Sequence, residues 1–265
     1  MTAGIVFGSL AYVKREIKRF NQRCKGAHLP LCLWSTDDPY EIDTNLEYRE
    51  CFEWIWTSDK ASVPFYDSEN VEHLPLAADP AVHSFPFQDE SASYDVSFVG
   101  VEFPNRKKLI EELGDLLNGV RAIVVGPNWS VAAKFIRSSR VSNQEAAQIS
   151  NQSKVVLNLG RSYDLANTRG ITPSTPGPRT FEVGGCSTVQ LVTWEQPEIE
   201  DYYSPGTEVV FCDGLEELKQ QIRWLLRNPT SRKMIAEAAF KKTLAYHLYD
   251  HRLEKIRKRI DELVS

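Results

Sequence analysis

Short runs of valine, isoleucine, leucine and phenylalanine alternate along the chain with longer segments whose apolar residues recur every three or four positions. Short continuous apolar runs are typical of strands buried on both faces, and the longer period is that of amphipathic helices. The first third predicts a helix over residues 11–25 and strands at residues 4–8, 31–34, 54–57 and 71–74. This alternation predicts an α/β fold built on parallel sheets.

Residues 77–93 interrupt this pattern because they are polar, contain two prolines and follow neither period. Such a stretch is typical of the connection between two domains. Beyond it, strands are predicted at 94–100, 121–126, 154–159, 189–192 and 208–211, with a short element at 131–136. Helices are predicted at 106–117, 143–151, 179–186, 214–227, 231–244 and 250–263. We therefore predict two Rossmann-like lobes, residues 1–88 and residues 89–265.

The net charge of −5 and the pI near 5.7 provide no overall attraction to a polyanion, so binding of nucleic acid would need a local basic patch. The five cysteines are scattered without metal-ligand spacing, which predicts reduced thiols. The sequence shows no secretory leader and no apolar run long enough to span a membrane. We therefore expect a cytoplasmic protein.

The common sequence signatures of nucleotide and hydrolase sites are absent, including the P-loop, the dinucleotide-binding glycine motif and the nucleophile elbow. Instead, glycines, arginines and one glutamate follow predicted strands of the second lobe, where open α/β sheets bind their ligands. A proline-rich connection over residues 160–178 is long for a compact domain, and long ordered loops are usually functional.

Several segments of the second lobe resemble CgeB-like proteins of the glycosyltransferase family 1-like group. They are YDVSFVG at 94–100 followed by Arg106, VVLN at 155–158, RTFEVGGC at 179–186 and LLRNP at 225–229. In the first lobe, LWSTDDP at 33–39 and HLPLAAD at 73–79 are similar to the end of the N-terminal domain of that family. The resemblance in the second lobe covers approximately residues 94–255.

The resemblance implies a GT-B-like fold with a C-terminal helix crossing back to the first lobe. The reaction would be glycosyl transfer from a nucleotide-diphosphate sugar to a hydroxyl acceptor, with the donor held chiefly by the second lobe. No cofactor and no metal are expected, because such enzymes generally stabilise the leaving diphosphate with arginines and helix dipoles. The family has further strand-helix units before residue 4, so the N-terminal lobe is expected to be truncated, with a sheet edge open for homo-oligomer formation.

Glu182 is the most informative residue under this resemblance. Its carboxylate would accept hydrogen bonds from the ribose hydroxyls of the donor. The alternative is a helix-start glutamate that complements the helix dipole. The upstream acid of the family's paired-glutamate motif is missing, and Ser174 or Thr175 lies near its position.

Arg106 and Arg179 are candidates for the donor diphosphate, because a guanidinium binds phosphate oxygens bidentately, or else they are solvated arginines at helix starts. Gly100 either lets main-chain N–H groups approach the phosphate or simply forms a turn. The other predicted donor-binding residues are Gly126, Asn128, Trp129 and Asn158, and Trp129 has the alternative role of covering the core.

The candidate catalytic residues are Asp37, Asp38 and His83. The two aspartates follow a predicted strand and are candidates for the base that activates the acceptor, although capping of the loop is the alternative. His83 lies in the predicted linker, where a structural role is the alternative. Two other functions remain open: a degenerate GT-B module for binding or assembly, and a glycosyltransferase acting on nucleic-acid bases.

Overall fold

The computed structural model describes residues 3–161 and 167–265, so residues 162–166 of the predicted long loop lie outside the described part. The strands are β1 (Gly4–Gly8), β2 (Leu31–Ser35), β3 (Trp54–Thr57), β4 (Val71–His73), β5 (Tyr94–Val99), β6 (Ala122–Gly126), β7 (Ile136–Ser138), β8 (Ser153–Asn158), β9 (Val189–Thr193) and β10 (Val210–Cys212). The α-helices are α1 (Lys14–Gly26), α2 (Ile42–Tyr48), α3 (Pro104–Glu112), α4 (Gly114–Asn118), α5 (Asn143–Asn151), α6 (Pro178–Gly185), α7 (Leu215–Arg227), α8 (Pro229–Tyr246) and α9 (Tyr249–Val264).

Among the described residues, the first compact unit comprises residues 3–76, 167–175 and 249–265. Its four strands pair in parallel in the order β1-β2-β3-β4, and every residue of β2 and β3 is buried. In α9, Ile256 and Ile260 pack against Trp34 and Trp56 of this sheet. The C-terminal helix therefore belongs to the first unit, as the GT-B resemblance predicts.

The described residues of the second unit are 77–161 and 176–248. Its six strands are all parallel and follow the order β10-β9-β8-β5-β6-β7. The core combines strand residues such as Phe98 and Leu191 with Leu218 and Ile222 of α7. Two parallel-sheet lobes confirm the predicted fold class.

The predicted linker belongs to the second unit. The main-chain N–H of Phe85 donates to the carbonyl of Gly185 at 3.3 Å, and the Asn151 side chain donates to the carbonyl of Pro86 at 2.9 Å. Asp89 forms an ion pair with the buried Arg232 at 2.6 Å. Because these contacts tie residues 77–93 to the second unit, the units divide after residue 76, earlier than the predicted boundary at 88.

Residues 167–175 of the long connection belong to the first unit. The main-chain N–H groups of Ser174 and Thr175 donate to Asp59 at 2.8 and 3.0 Å, and Thr168 donates to Asp43. Ile171 is buried in the core of this unit. The described part of the loop is therefore held by side chains from distant positions of the sequence.

Two predicted elements differ from the structure. The single helix expected over 106–117 is two helices, α3 and α4, which meet at Leu113. In the segment 131–136, Val131, Ala133 and Phe135 pack on the core, but only Ile136 belongs to a strand. The alternating apolar residues of this segment reflect burial rather than strand pairing.

Among the described residues, no helix combines the length and apolarity that a membrane span requires.

The carboxylate of Asp95 is held by two cationic side chains, those of Arg121 and Lys154. Although burial raises the pKa of its carboxyl, hydrogen bonds from Arg121 and Lys154 lower it well below the ordinary value. Because the folded pKa is depressed, the stabilisation is present at neutral pH and is lost as the pH falls below the unfolded pKa of about 4. We expect Asp95→Asn to lower the free energy of unfolding by about 1 kcal/mol at pH 7, since Arg121 is partly exposed.

Urea denaturation of Asp95→Asn and wild type at pH 7 and at acidic pH measures this difference, which should shrink as the pH falls. Glu254→Gln is the control, because Glu254 is exposed and has no ion pair within the described ranges. A difference that stays constant across the pH range would contradict the ion-pair explanation.

The main chain of His83 passes directly beside Gly185 of α6. A Cβ atom at this position would lie 2.2 Å from the carbonyl oxygen of His83, a main-chain atom that cannot move aside. We expect Gly185→Ala to destabilise the second unit by about 1–3 kcal/mol, the usual cost of overpacking. Gly114→Ala is the matched control, since a Cβ there would meet nothing within 4 Å. Thermal melting of both variants tests the prediction, and equal melting temperatures would disprove the close approach.

Candidate functional site

The helix α6 is fixed to the carboxyl ends of β8 and β9 by a buried network of four polar side chains. Asn158 at the end of β8 donates to Thr180 of α6 and to Gln190 of β9, both at 2.8 Å. Gln190 donates to the carbonyl of Thr180 at 2.9 Å, and Gln196 donates to the carbonyl of Asn158 at 3.0 Å. All four side chains are buried, so the network fixes the first turn of α6 on the sheet.

The amide of Asn158 is therefore occupied within the protein. Its predicted contact with a donor stays a prediction, and its observed contacts position α6. Gln190 and Gln196 are residues that the sequence analysis missed. A glutamine inside the apolar strand VQLVT was the available signal, because a buried polar group needs a hydrogen-bond partner.

Arg179 and Glu182 form an ion pair on α6, the helix that this network holds. Arg179 is the second residue of the helix, and its Nη1 lies 2.8 Å from Oε2 of Glu182. The other carboxylate oxygen of Glu182 lies 4.0 Å from Nε2 of His83. The Glu182 side chain is 15% exposed, so it is not fully buried. The structure thus brings His83 of the predicted linker next to two residues that were predicted from the segment 179–186.

Glu182 does not lie at the start of α6, where a glutamate would complement the helix dipole. It is the fifth residue of the helix, beyond the first turn, which contains no acidic residue. The influence of the helix dipole falls off within that turn. Complementing the dipole at the helix start is therefore not the role of this carboxylate.

His83 is 4% exposed and lies against α6. Burial lowers the pKa of His83, and the attraction of Glu182 only partly offsets this effect. The ring is therefore neutral at pH 7. His83 thus lies beside the Glu182 carboxylate, and both residues belong to the second unit.

Arg106 lies in α3 and donates to main-chain carbonyls. Its guanidinium contacts the carbonyl oxygens of Leu159 at 2.9 Å, Gly160 at 3.2 Å and Val101 at 3.3 Å. The same group stacks over the ring of Phe103. These contacts hold the chain after β8, so Arg106 shapes the end of the sheet, and its contact with a diphosphate stays a prediction.

Residues 100 and 126–129 form a tight corner after β5 and β6. The indole N–H of Trp129 donates to the carbonyl of Gly100 at 2.9 Å, and its ring is 6% exposed against Phe98. A Cβ at Gly126 would lie 1.8 Å from the carbonyl oxygen of Gly100, so only glycine fits there. Asn128 adopts a left-handed conformation with φ 70°. Trp129 therefore covers the core, the alternative role that the sequence left open.

Asn105 and Glu195 were not predicted, yet they lie at the same edge of the sheet. The Asn105 amide donates to the carbonyl of Gly160 at 3.1 Å and to Oε1 of Glu195 at 3.2 Å. Oδ1 of Asn105 and Oε2 of Glu195 are buried without a hydrogen-bond partner. Only the folded structure brings these two residues together, so no sequence signal could have found them.

The two aspartates after β2 have different environments. Asp38 is buried and accepts hydrogen bonds from Thr57 at 2.6 Å, Asn45 at 2.7 Å and Tyr66 at 2.8 Å. Burial raises the pKa of Asp38, and these hydrogen bonds partly offset the effect. Asp37 is half-buried. Asp38 thus organises the first unit, whereas Asp37 keeps contact with solvent.

The hydroxyls near the missing upstream acid are engaged elsewhere. Ser174 accepts a hydrogen bond from the main chain of Ala61 at 3.2 Å, and Thr175 accepts one from the main chain of Lys60 at 3.0 Å. Both therefore hold the loop to the first unit.

Across residues 3–161 and 167–265, no group of three or more His, Cys, Asp or Glu side chains could hold a metal ion.

Known proteins match this chain in sequence and in fold. The model of the glycosyl transferase-like family matches residues 106–258. Spore protein CgeB of Bacillus subtilis (strain 168) is 24% identical over 248 residues, which are 88% of this chain and 76% of that protein. The crystal structure of Anabaena HepE in complex with UDP and glucose superposes with a TM-score of 0.69 at 13% identity, covering 97% of this chain and 78% of that one. Sucrose-phosphate synthase from Thermosynechococcus elongatus superposes with a TM-score of 0.67 at 8% identity, covering 98% and 73%.

These comparisons confirm the CgeB-like resemblance and the GT-B fold that the sequence predicted. The family match includes Arg106, Asn158, Arg179 and Glu182. Since it spans more than half of the 265 residues, the chain belongs to the glycosyl transferase-like family.

Proposed function

We propose that this chain transfers a sugar from a nucleoside diphosphate donor to a hydroxyl acceptor, and that Glu182 holds the ribose of the donor. The observation that carries the proposal is the fixed, partly exposed carboxylate of Glu182 on α6, with Arg179 at 2.8 Å. A carboxylate has two acceptor oxygens, which suit the two adjacent hydroxyls of a ribose. Membership of the glycosyl transferase-like family supports the same activity.

Arg179 is the proposed partner of the diphosphate. It lies in the first turn of α6, where the positive end of the helix dipole also favours an anion. A guanidinium stays charged over the whole accessible pH range and can bind two phosphate oxygens at once. The chain thereby supplies its own stabilisation of the leaving diphosphate, and the proposal includes no metal cofactor.

Uridine diphosphate is the first donor fragment to test. Anabaena HepE was solved in complex with UDP-glucose, and the pneumococcal O-GlcNAc transferase GtfA with UDP and GlcNAc. Both share the fold of this chain at 11–12% identity. The proposal does not depend on uracil, since the ribose and the diphosphate are common to all ribonucleoside diphosphates.

On the acceptor side, Asp37 is the proposed base that removes the proton of the acceptor hydroxyl. A general base must reach the proton that it removes, and Asp37 is the partly exposed member of the aspartate pair. Asp38 is excluded from this role because its carboxylate is buried and already accepts three hydrogen bonds. A binding or assembly module that catalyses no reaction would need neither Glu182 for a donor nor Asp37 for an acceptor.

Glu182→Gln tests the donor site. The substitution keeps the size of the side chain but removes the charge, so we expect nucleotide affinity to fall about tenfold or more, the effect of losing a charge-assisted hydrogen bond. Calorimetric titration with UDP, GDP and dTDP measures the affinity. Glu237→Gln is the matched control on the exposed face of α8 and should bind like wild type.

The same titration separates the proposal from its rivals. A binding or assembly module without turnover need not bind any of the three nucleotides, and wild type without measurable affinity would refute the proposal. A glycosyltransferase acting on nucleic acid would also bind DNA, with an affinity that falls steeply as salt increases.

Asp37→Asn tests the acceptor side. We expect hydrolysis of the donor sugar, in which water replaces the acceptor, to slow by about 100-fold or more, while nucleotide affinity is unchanged, since a general base acts only on the chemical step. The measurement is release of nucleoside diphosphate from a panel of sugar nucleotides. A variant that hydrolyses donors as fast as wild type would remove Asp37 from the mechanism.

A further inference from the structure

The Nε2 atom of His83 is a buried polar atom without a hydrogen-bond partner. The side chain is 4% exposed, and the acidic oxygen that faces Nε2 is Oε1 of Glu182, at 4.0 Å. This distance is too long for a hydrogen bond. Leaving a buried donor unsatisfied costs about 1–3 kcal/mol, so the position of this atom needs an explanation.

The other ring nitrogen defines the tautomer. The main-chain N–H of Asp79 donates to Nδ1 of His83 at 3.2 Å. Nδ1 therefore carries a lone pair, and in the neutral ring the proton lies on Nε2. Because burial lowers the pKa of His83, the ring is neutral at pH 7 and acts toward Glu182 as a hydrogen-bond donor rather than as a cation.

The main chain holds the ring in this place. The N–H of His83 donates to the carbonyl of Asp79 at 2.7 Å, and the N–H of Phe85 donates to the carbonyl of Gly185 at 3.3 Å. The carbonyl of His83 approaches Gly185 so closely that no side chain fits at that position. The main chain at His83 is therefore fixed against α6, and the Asp79 N–H holds the ring at Nδ1, so the simplest way to close the gap is a movement of the Glu182 carboxylate.

The two oxygens of the Glu182 carboxylate face different donors. Oε2 lies 2.8 Å from Arg179, and Oε1 faces His83 across the 4.0 Å gap. A hydrogen bond between these groups needs about 2.7–3.2 Å between the nitrogen and the oxygen, so closing the gap takes a movement of about 1 Å. A small rotation of the carboxylate toward His83 would satisfy the buried N–H group and would leave the outer lone pairs of both oxygens for a ligand.

We infer that His83 is a positioning residue for donor binding: its Nε2–H group orients the Glu182 carboxylate toward the adjacent hydroxyls of a ribose. This inference rests on the proposed function, because it assigns the ribose to Glu182. Through this orientation the linker histidine contributes to nucleotide affinity. His83 acts through Glu182, so the two side chains are energetically coupled.

His83→Asn isolates the Nε2 group. The asparagine oxygen can still accept the N–H of Asp79 in place of Nδ1, but the shorter side chain offers no donor to Glu182. We expect calorimetry to show about tenfold weaker binding of UDP or GDP, as for the loss of one hydrogen bond to a charged group. His83→Gln, whose amide reaches the position of Nε2, should bind within about threefold of wild type.

Two comparisons separate positioning from a general structural effect. In the Glu182→Gln background, His83→Asn should cause little further loss, because the carboxylate that it orients is gone. Binding of 2′,3′-dideoxy-UDP, which lacks both hydroxyls, should be equal in wild type and His83→Asn. Thermal melting without nucleotide, measured on each variant, defines the folded fraction. If His83→Asn unfolds, His83→Phe carries the test, because it fills the same space without an Nε2–H donor and should also bind about tenfold more weakly.

The outcomes distinguish this inference from the proposed function. If wild type bound neither UDP nor GDP, both would be overturned. If Glu182→Gln weakened binding but folded His83→Asn bound normally, only the role of His83 would be overturned. The same holds if the losses of the two single variants added fully in the double variant, or if His83→Gln bound as weakly as His83→Asn.

Discussion

Four buried polar side chains hold α6 against the ends of β8 and β9, and the position of Glu182 depends on them. Asn158, Thr180, Gln190 and Gln196 exchange hydrogen bonds with each other and with the main chain, so each satisfies the others in a place that water does not reach. A network of this kind is stable only when all of its members are satisfied. It therefore fixes one position of α6 and keeps the carboxylate at the carboxyl end of the sheet, where open α/β folds bind ligands.

The segment before β5 completes the site from the other side of α6. Gly185 allows the main chain of His83 to approach the helix, and Asp79 fixes the ring so that its N–H group faces Glu182. Arg106 has a comparable role, because its guanidinium holds two main-chain carbonyls after β8 and one after β5. The polar residues that the sequence predicted thus fall into two groups. Arg106 and Asn158 hold the main chain at the edge of the sheet, whereas Arg179 and Glu182 form the charged pair on α6.

The period of the apolar residues predicted the fold because it reports which faces are buried. The helix α5 has the predicted bounds, and most strands differ by one or two residues, the usual uncertainty at the ends of elements. The period failed at 131–136, where alternate residues are buried without strand pairing. The conformation of residues 167–175 was also unpredictable, because it depends on Asp43 and Asp59, which are distant in sequence. Likewise, Glu182 could be chosen from its motif, whereas its contacts with His83 and the carbonyl contacts of Arg106 depend on the folded chain.

A crystal structure of the protein with a ribonucleoside diphosphate, beginning with UDP, tests the central claim most directly. We expect both ribose hydroxyls to lie within hydrogen-bonding distance, about 3 Å, of the Glu182 carboxylate, with the diphosphate at the first turn of α6 beside Arg179. A nucleotide whose ribose lies away from Glu182, or bound at another edge of the sheet, would contradict the account.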